Sequence, residues 1–504
     1  MTVLLMLARW LGIGRAETDD PETLMRRRVM RMAWPAVVQG LLMTSIQVVD
    51  TFLVSLLSDE ALAAVGTASQ LIFVMFVALI AIEIGASVLV AQAVGAGSRE
   101  SAGRVARQSI SLGLLMAIPI SFLGWALRYQ LLGVFGLEPV VEQLGVEYWS
   151  VVSLAIFIVM LVFVLSGILQ GSGDTATPMW GTAVATVVNT VFAYVLIFGK
   201  WGFPELGVAG SAWGSVIGWS SQVVFMLVMI GRGNRPFTFF RRRGWWPGME
   251  TARGIFRVGG PTAIEDLAIS TGLAVHTGIV AVLGTASLAA HRIVFNALNL
   301  SFMPGFGLAI AATALVGQAV GARDPASGRL ATRISAQFAV LWMGSMGLIY
   351  FLLAGPIASI FTGDAGVRSI GAESMRALAL SQPFWGMLFV FSGTLRGTGK
   401  SMYPAIVNSI MIWAAVGLSF VLVQYGGYGL ASTWLAFIPS AGVAVFFLWR
   451  RVRSEPLLDE RRRGARNWAL LLEPEPVEPA PVAPGVVATM TEGAPDPVGA
   501  NAPD

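Results

Sequence analysis

The chain has 504 residues, 55% of them hydrophobic and only 12% charged, with a mean hydropathy of +0.72. A water-soluble surface needs roughly 25% charged residues, so lipid has to cover most of this one. The net charge of +4 does not point to nucleic acid, because the arginines sit between apolar stretches and form no clustered basic face.

A helix that crosses a bilayer takes about 20 mostly apolar residues. Residues 1–32, opening MTVLLMLARWLGIG, lack a basic leader and a small-residue cleavage site, and are expected to form a cytoplasmic or interfacial segment. Six spans follow at 33–57, 66–93, 109–133, 146–170, 179–200 and 205–231, making a first lobe over 33–231. A basic linker, 232–258, carries Trp245 and Trp246 beside arginines, a composition suited to the lipid interface. Six more spans, at 259–284, 290–318, 334–362, 378–395, 403–425 and 427–449, make a second lobe over 259–449. The tail, 450–504, becomes rich in Pro, Glu and Ala beyond Arg466 and is expected to be disordered.

Alternate loops hold 28 of the 33 Lys and Arg, with 396–402 among them, which predicts a multi-pass protein of a bacterial-type inner membrane with both termini cytoplasmic. The two halves also repeat at an offset of 226 residues. Pro35 falls on Pro261, Gln92-Ala93-Val94-Gly95-Ala96 on Gln318-Ala319-Val320-Gly321-Ala322, and SGILQGSG (166–173) on SGTLRGTG (392–399). Because each repeat has an even number of spans, the lobes share one orientation and are related by a pseudo-twofold axis along the membrane normal, an arrangement suited to alternating access.

The segments VVDTFLVSLLSDEALAAVG, VLVAQAVGAGSRESAGR, SGILQGSGDTATP, PTAIEDL, LGTASLAAHRIVFN and SGTLRGTGKSMYP, in this order and duplication, resemble the multidrug and toxic compound extrusion (MATE) family over 30–450, in its bacterial DNA-damage-inducible-protein-F-like branch. The resemblance implies an all-α membrane fold of twelve helices in two six-helix lobes forming a V. It also implies export of amphipathic organic cations against proton or sodium flux. No cofactor is expected beyond that coupling ion, and the partners are small organic cations and membrane lipids, with the chain a monomer.

Ionisable residues inside a membrane are costly and commonly functional. Asp50, deep in the first span, has no cation near it in sequence; it either exchanges a proton, ligates sodium, or is a neutral or paired packing residue. The family's first-helix Asp sits in this VDT context. Glu265 and Asp266 follow Pro261 in span 7, where they share in coupling or are merely stabilised by a helix N-terminus. The family resemblance places a Glu at position 265, followed by Gln, so Asp266 is a departure. In the repeat His276 falls opposite Asp50, and Gln39 opposite Glu265. Glu83 in span 2 has Ala309 as its counterpart and rests on burial alone.

His291 matches the family's AAH segment, and Arg292 replaces its usual Gln, in a place to neutralise a neighbouring acid. Asn189 matches the family's asparagine, but Ala193 stands where proton-coupled archaeal-type members carry Asp, and Ile269 and Trp385 stand at the acids of the norfloxacin-exporter branch. Gln382, before Pro383, either lines a cavity or packs helices. Phe157, Met160, Phe163 and Trp385 are candidates for an adaptable apolar cavity, or plain packing.

Cysteine is absent and there are two histidines, so no thiolate or zinc centre of the usual kind is available. A phosphate-binding loop is also missing, so energy has to come from an ion gradient. The function expected is therefore a secondary active efflux transporter and not an enzyme. A lipid-linked oligosaccharide flippase of the same superfamily is the alternative, with an intramembrane enzyme third.

Overall fold

The structure, a computed structural model, describes residues 20–458 except 234, 235, 240, 242 and 243, and for 73, 74, 76–78 and 457 the backbone alone. The N-terminal run through residue 19 and the tail after 458 lie outside the described residues. The first lobe comprises α1 (Pro21–Ser55), α2 (Asp59–Gly95), α3 (Arg99–Ala126), α4 (Arg128–Gly133), α5 (Pro139–Leu154), α6 (Ile156–Gly171), α7 (Ala176–Ile197) and α8 (Gly207–Arg232). The second comprises α9 (Met249–Ala281), α10 (Thr285–Gly321), α11 (Pro325–Phe361), α12 (Ala365–Gly397), α13 (Met402–Gln424), α14 (Leu430–Leu435) and α15 (Phe437–Arg453).

Asp20, Ser58, Ser98, Asp324 and Asp364 cap α1, α2, α3, α11 and α12 through their side-chain oxygens, which satisfies amide groups the first turn leaves free. Ten helical segments are long and apolar enough to cross a bilayer, with Leu430–Arg453 counted as one. Among the described residues the pair α5 and α6, bent by 48°, supplies an eleventh, and the 37-residue α2, apolar over Leu79–Gly95, stands where the remaining expected span falls.

Several boundaries differ from the sequence reading. Expected span 146–170 is two helices broken at Ala155, where the amide of Ala155 reaches back to the Val152 carbonyl at 3.0 Å and that of Ile158 to Ala155 at 2.8 Å. Just before the break the Ser150 and Ser153 hydroxyls bond back to the carbonyls of Val146 and Ser150, a pattern that bends helices without Pro or Gly. Helix α9 begins at Met249, inside the expected 232–258 linker, and α1 begins at Pro21, before the expected span. Within the linker Thr238 is strapped to the first lobe: Arg107 donates to the Thr238 carbonyl at 2.5 Å, and the Thr238 amide donates to the Arg99 carbonyl at 3.2 Å.

The lobes meet where α2 and α10 run side by side at the end of the bundle that carries Gly95 and Gly321. Gln92 on α2 donates through Nε2 to the Gly397 carbonyl of α12 at 2.8 Å, and Gln318 on α10 donates to the Gly171 carbonyl of α6 at 3.0 Å. Both donors and both acceptors are repeat partners at the offset of 226, so the pair forms one reciprocal latch. There is no room for a Cβ on Gly95 or Gly321, because each stands against the backbone of the other lobe's glutamine. The two duplicated motifs thus occupy one place, with QAVGA giving donor and close approach and SGxLxGxG giving the acceptor.

We expect Gly95→Val or Gly321→Val to lower the thermal-unfolding midpoint of detergent-purified protein, at a cost of about 1–3 kcal/mol for overpacking. Gly417→Ala, a helix position with nothing within 4 Å of the new methyl group, is expected not to lower it and to raise it slightly through better helix propensity.

Candidate functional site

Asp50 sits near the far end of α1, and two neutral side chains hold it. Asn189 Nδ2 on α7 donates to Asp50 Oδ2 at 3.4 Å, Ser215 Oγ on α8 donates to the same oxygen at 3.2 Å, and Asn189 Nδ2 also reaches Ser215 Oγ at 3.2 Å. The other oxygens of the cluster, Asp50 Oδ1 and Asn189 Oδ1, are buried without a hydrogen-bond donor. Ser215 escaped the sequence reading, although a signal exists. Gly210, Gly214 and Gly218 form a small-residue stripe on α8 that lets it press onto α7, and Ser215 rides beside that stripe. The same approach explains Ala193: a Cβ on Gly214 would lie 2.7 Å from it, leaving no space for a carboxylate.

The second group of charges lies in the second lobe, on the side that faces the first. Glu265, 2% exposed, accepts from Arg396 Nη2 on α12 at 2.8 Å and from Asn408 Nδ2 on α13 at 2.6 Å, while Asn408 Nδ2 also bonds Ser392 Oγ at 2.8 Å. Glu265 stands well inside α9, far from its start at Met249, so a helix N-terminus does not account for it. Arg396, assigned to loop 396–402 by hydropathy, is instead within α12 and faces inward. Arg292 points outward and pairs with no acid among the described residues, so the guanidinium beside the acids is Arg396.

A cavity of about 400 Å³ opens between α1, α2 and α6 of one lobe and α9, α10 and α12 of the other. Its polar wall includes Gln39, Glu83, Gln170, Asp266 and Arg396, and Met43, Phe163, Met303 and Phe306 supply apolar surface. Phe163 is the one of the four proposed aromatic and Met residues on this wall. Met160 and Trp385 are buried within their lobes and Phe157 is partly exposed. Asp50 is not on it, and at 1.5 Å per residue it stands about 16 Å along α1 from Gln39. The structure therefore groups Glu83 with Asp266 and Glu265, and sets Asp50 apart with Asn189.

The remaining candidates lie inside the second lobe. His276 and His291, the chain's two histidines, face each other at 5.3 Å between ring centroids, packed with Trp434 and Phe437. His291 Nε2 also contacts Thr277 Oγ1 at 3.3 Å. Gln382 is fully buried and accepts from Ser301 Oγ at 2.6 Å.

The model of the MatE family matches residues 35–195 and 261–421, two segments separated by the same 226 residues as the internal repeat. The chain belongs to the MatE family. A probable multidrug resistance protein NorM of Thermotoga maritima is 32% identical over 422 residues, covering 82% of this chain and 89% of the relative. Multidrug resistance protein NorM of Burkholderia vietnamiensis is 29% identical, covering 87% and 96%. Two solved structures share the fold. One, described as the outward-facing conformation of a multidrug resistance MATE family transporter of the MOP superfamily, has a TM-score of 0.79 at 23% identity and covers 88% of this chain and 99% of its own. The other, MATE in the bent conformation, has a TM-score of 0.80 at 23% identity with the same coverage. This MatE chain is a multi-pass membrane transporter and not an enzyme.

Removing one partner of a buried ion pair strands the other charge. Arg396→Met is expected to destabilise the protein by about 3–5 kcal/mol, and adding Glu265→Gln to restore most of that loss, both read from thermal unfolding of the purified protein.

Proposed function

We propose that this MatE transporter is a secondary active multidrug exporter, exchanging amphipathic organic cations for protons or sodium ions by alternating access. The observation that carries this reading is the Asp50 cluster. It is a membrane-embedded carboxylate held by neutral donors alone, with Asp50 Oδ1 and Asn189 Oδ1 both buried and lacking a donor. A bound proton or a sodium ion each supplies what those oxygens lack. The NorM names of the relatives support the drug-export part of the reading.

In this scheme the latched end of the bundle, which carries the basic loops, faces the cytoplasm with both termini, in a bacterial-type plasma membrane. Cargo occupies the interlobe cavity, and the ion binds within the first lobe. Ion and cargo act on one another only through their different affinities for the two lobe arrangements, since they do not share a site. A flippase for a pyrophosphate-linked lipid fits less well, because Glu265 already takes the charge of Arg396, the cation on the cavity wall.

The test is ethidium efflux from proteoliposomes under a proton gradient and a sodium gradient imposed separately. Efflux is expected under one gradient, to fall at least about tenfold in Asp50→Asn, and to fall several-fold in Ser215→Ala, which removes one of the two donors. Unchanged gradient-driven efflux in Asp50→Asn sinks the coupling role.

A further inference from the structure

The carboxylates that face the interlobe cavity come from opposite lobes and differ in their surroundings. Asp266, on α9 of the second lobe, lies in the field of Arg396 and next to Glu265. Glu83, on α2 of the first lobe, has neither an ion pair nor a hydrogen-bond donor among the described residues. The packing of α2 on α6 presents it there: a Cβ on Gly167 would meet the Glu83 carbonyl and lie 3.0 Å from its Cγ, so only glycine lets the side chain pass into the cavity. The repeat shows that this acid is not required by the fold. Its counterpart at the same place on the wall is Ala309, with Gly393 standing where Gly167 does.

The charges do not balance. Glu83, Glu265 and Asp266 against Arg396 leave the ionised site at net −2. Holding an unpaired carboxylate against an apolar wall is costly, so it either takes up a proton or draws in a cationic counter-charge. Phe163 and Phe306 line the cavity with aromatic surface, and Met43 and Met303 with soft, adaptable surface, of the kind that suits a flat aromatic cation. The volume suits a drug-sized molecule.

We infer that Glu83 is the specificity-determining carboxylate of this cavity, selecting aromatic dications over monocations by taking one cationic head on the first lobe while Asp266 takes the other on the second. The inference rests on the cavity being the cargo site. A cargo bound in this way ties both lobes together at their junction, a demand a monocation does not meet.

Ethidium and propidium share a phenanthridinium body, and propidium carries a second quaternary ammonium. Their equilibrium binding to the full-length protein in zwitterionic nanodiscs, read by dye fluorescence at one pH and without a gradient, tests the inference. Propidium is expected to bind at least about tenfold more tightly than ethidium to the native protein, in line with one added charge pair in a partly buried site. Glu83→Gln is expected to reduce that preference to within about twofold, and Glu83→Asp, which keeps the charge, to retain it. Equal binding of the two dyes by the native protein, survival of the preference in Glu83→Gln, or its loss in both variants alike overturns the inference while leaving the cavity as a cargo site. Failure of both dyes to bind overturns the cargo site as well.

Discussion

Everything in this architecture depends on two helices from different lobes coming close enough to touch backbone to backbone. In α2 and α10 that contact is made by Gly95 and Gly321, and it is fixed in register by Gln92 and Gln318 reaching across to the carbonyls of Gly397 and Gly171. Lipid supplies no hydrophobic force between helices, so such close packing and interhelical hydrogen bonds are what associate them. Two reciprocal bonds related by pseudo-symmetry also form a natural two-state element. In the proposed alternating-access scheme they are made together when this end is closed and lost together when the lobes part.

The latch divides the molecule's charges into compartments. Just beyond it lies the interlobe cavity with Glu83, Asp266 and Arg396 on its walls, which both lobes supply, and Glu265 paired behind Arg396. Asp50 belongs to another compartment, wedged among α1, α7 and α8 by the glycine stripe of α8. In the proposed scheme an ion bound there biases the packing of α1 against its own lobe, and because α1 also packs on α10, that bias reaches the interface. On that reading coupling between the compartments is mechanical, carried by a helix that both share.

Much of this was legible in the sequence, and the exceptions have physical causes. Period, offset and loop charge gave twelve crossings and two lobes, and the depth of Asp50 marked it as costly. The duplicated QAVGA and SGxLxGxG motifs were visible as repeats, but their meeting required knowing that donors and acceptors lie 305 and 147 residues apart. Arg396 was misplaced because a cation at the end of an apolar run reads the same whether it faces water or an acid 131 residues away. Ala155 carries no helix-breaking chemistry of its own, so the bend in the fourth crossing could not be read from it. Asn408 is an ordinary polar residue in an apolar run, and only the folded neighbourhood gives it a role, whereas Ser215 had the glycine stripe beside it as its one sequence signal.

In the proposed scheme ion and cargo occupy different sites and communicate through the lobes. Its most direct test is cargo affinity as a function of pH and of sodium concentration, measured on purified native protein and on Asp50→Asn. Native affinity is expected to shift with one of the two ions, and Asp50→Asn to bind cargo still, with an affinity that no longer responds to that ion. Loss of cargo binding in a folded Asp50→Asn protein, or an undiminished ion response, would contradict it.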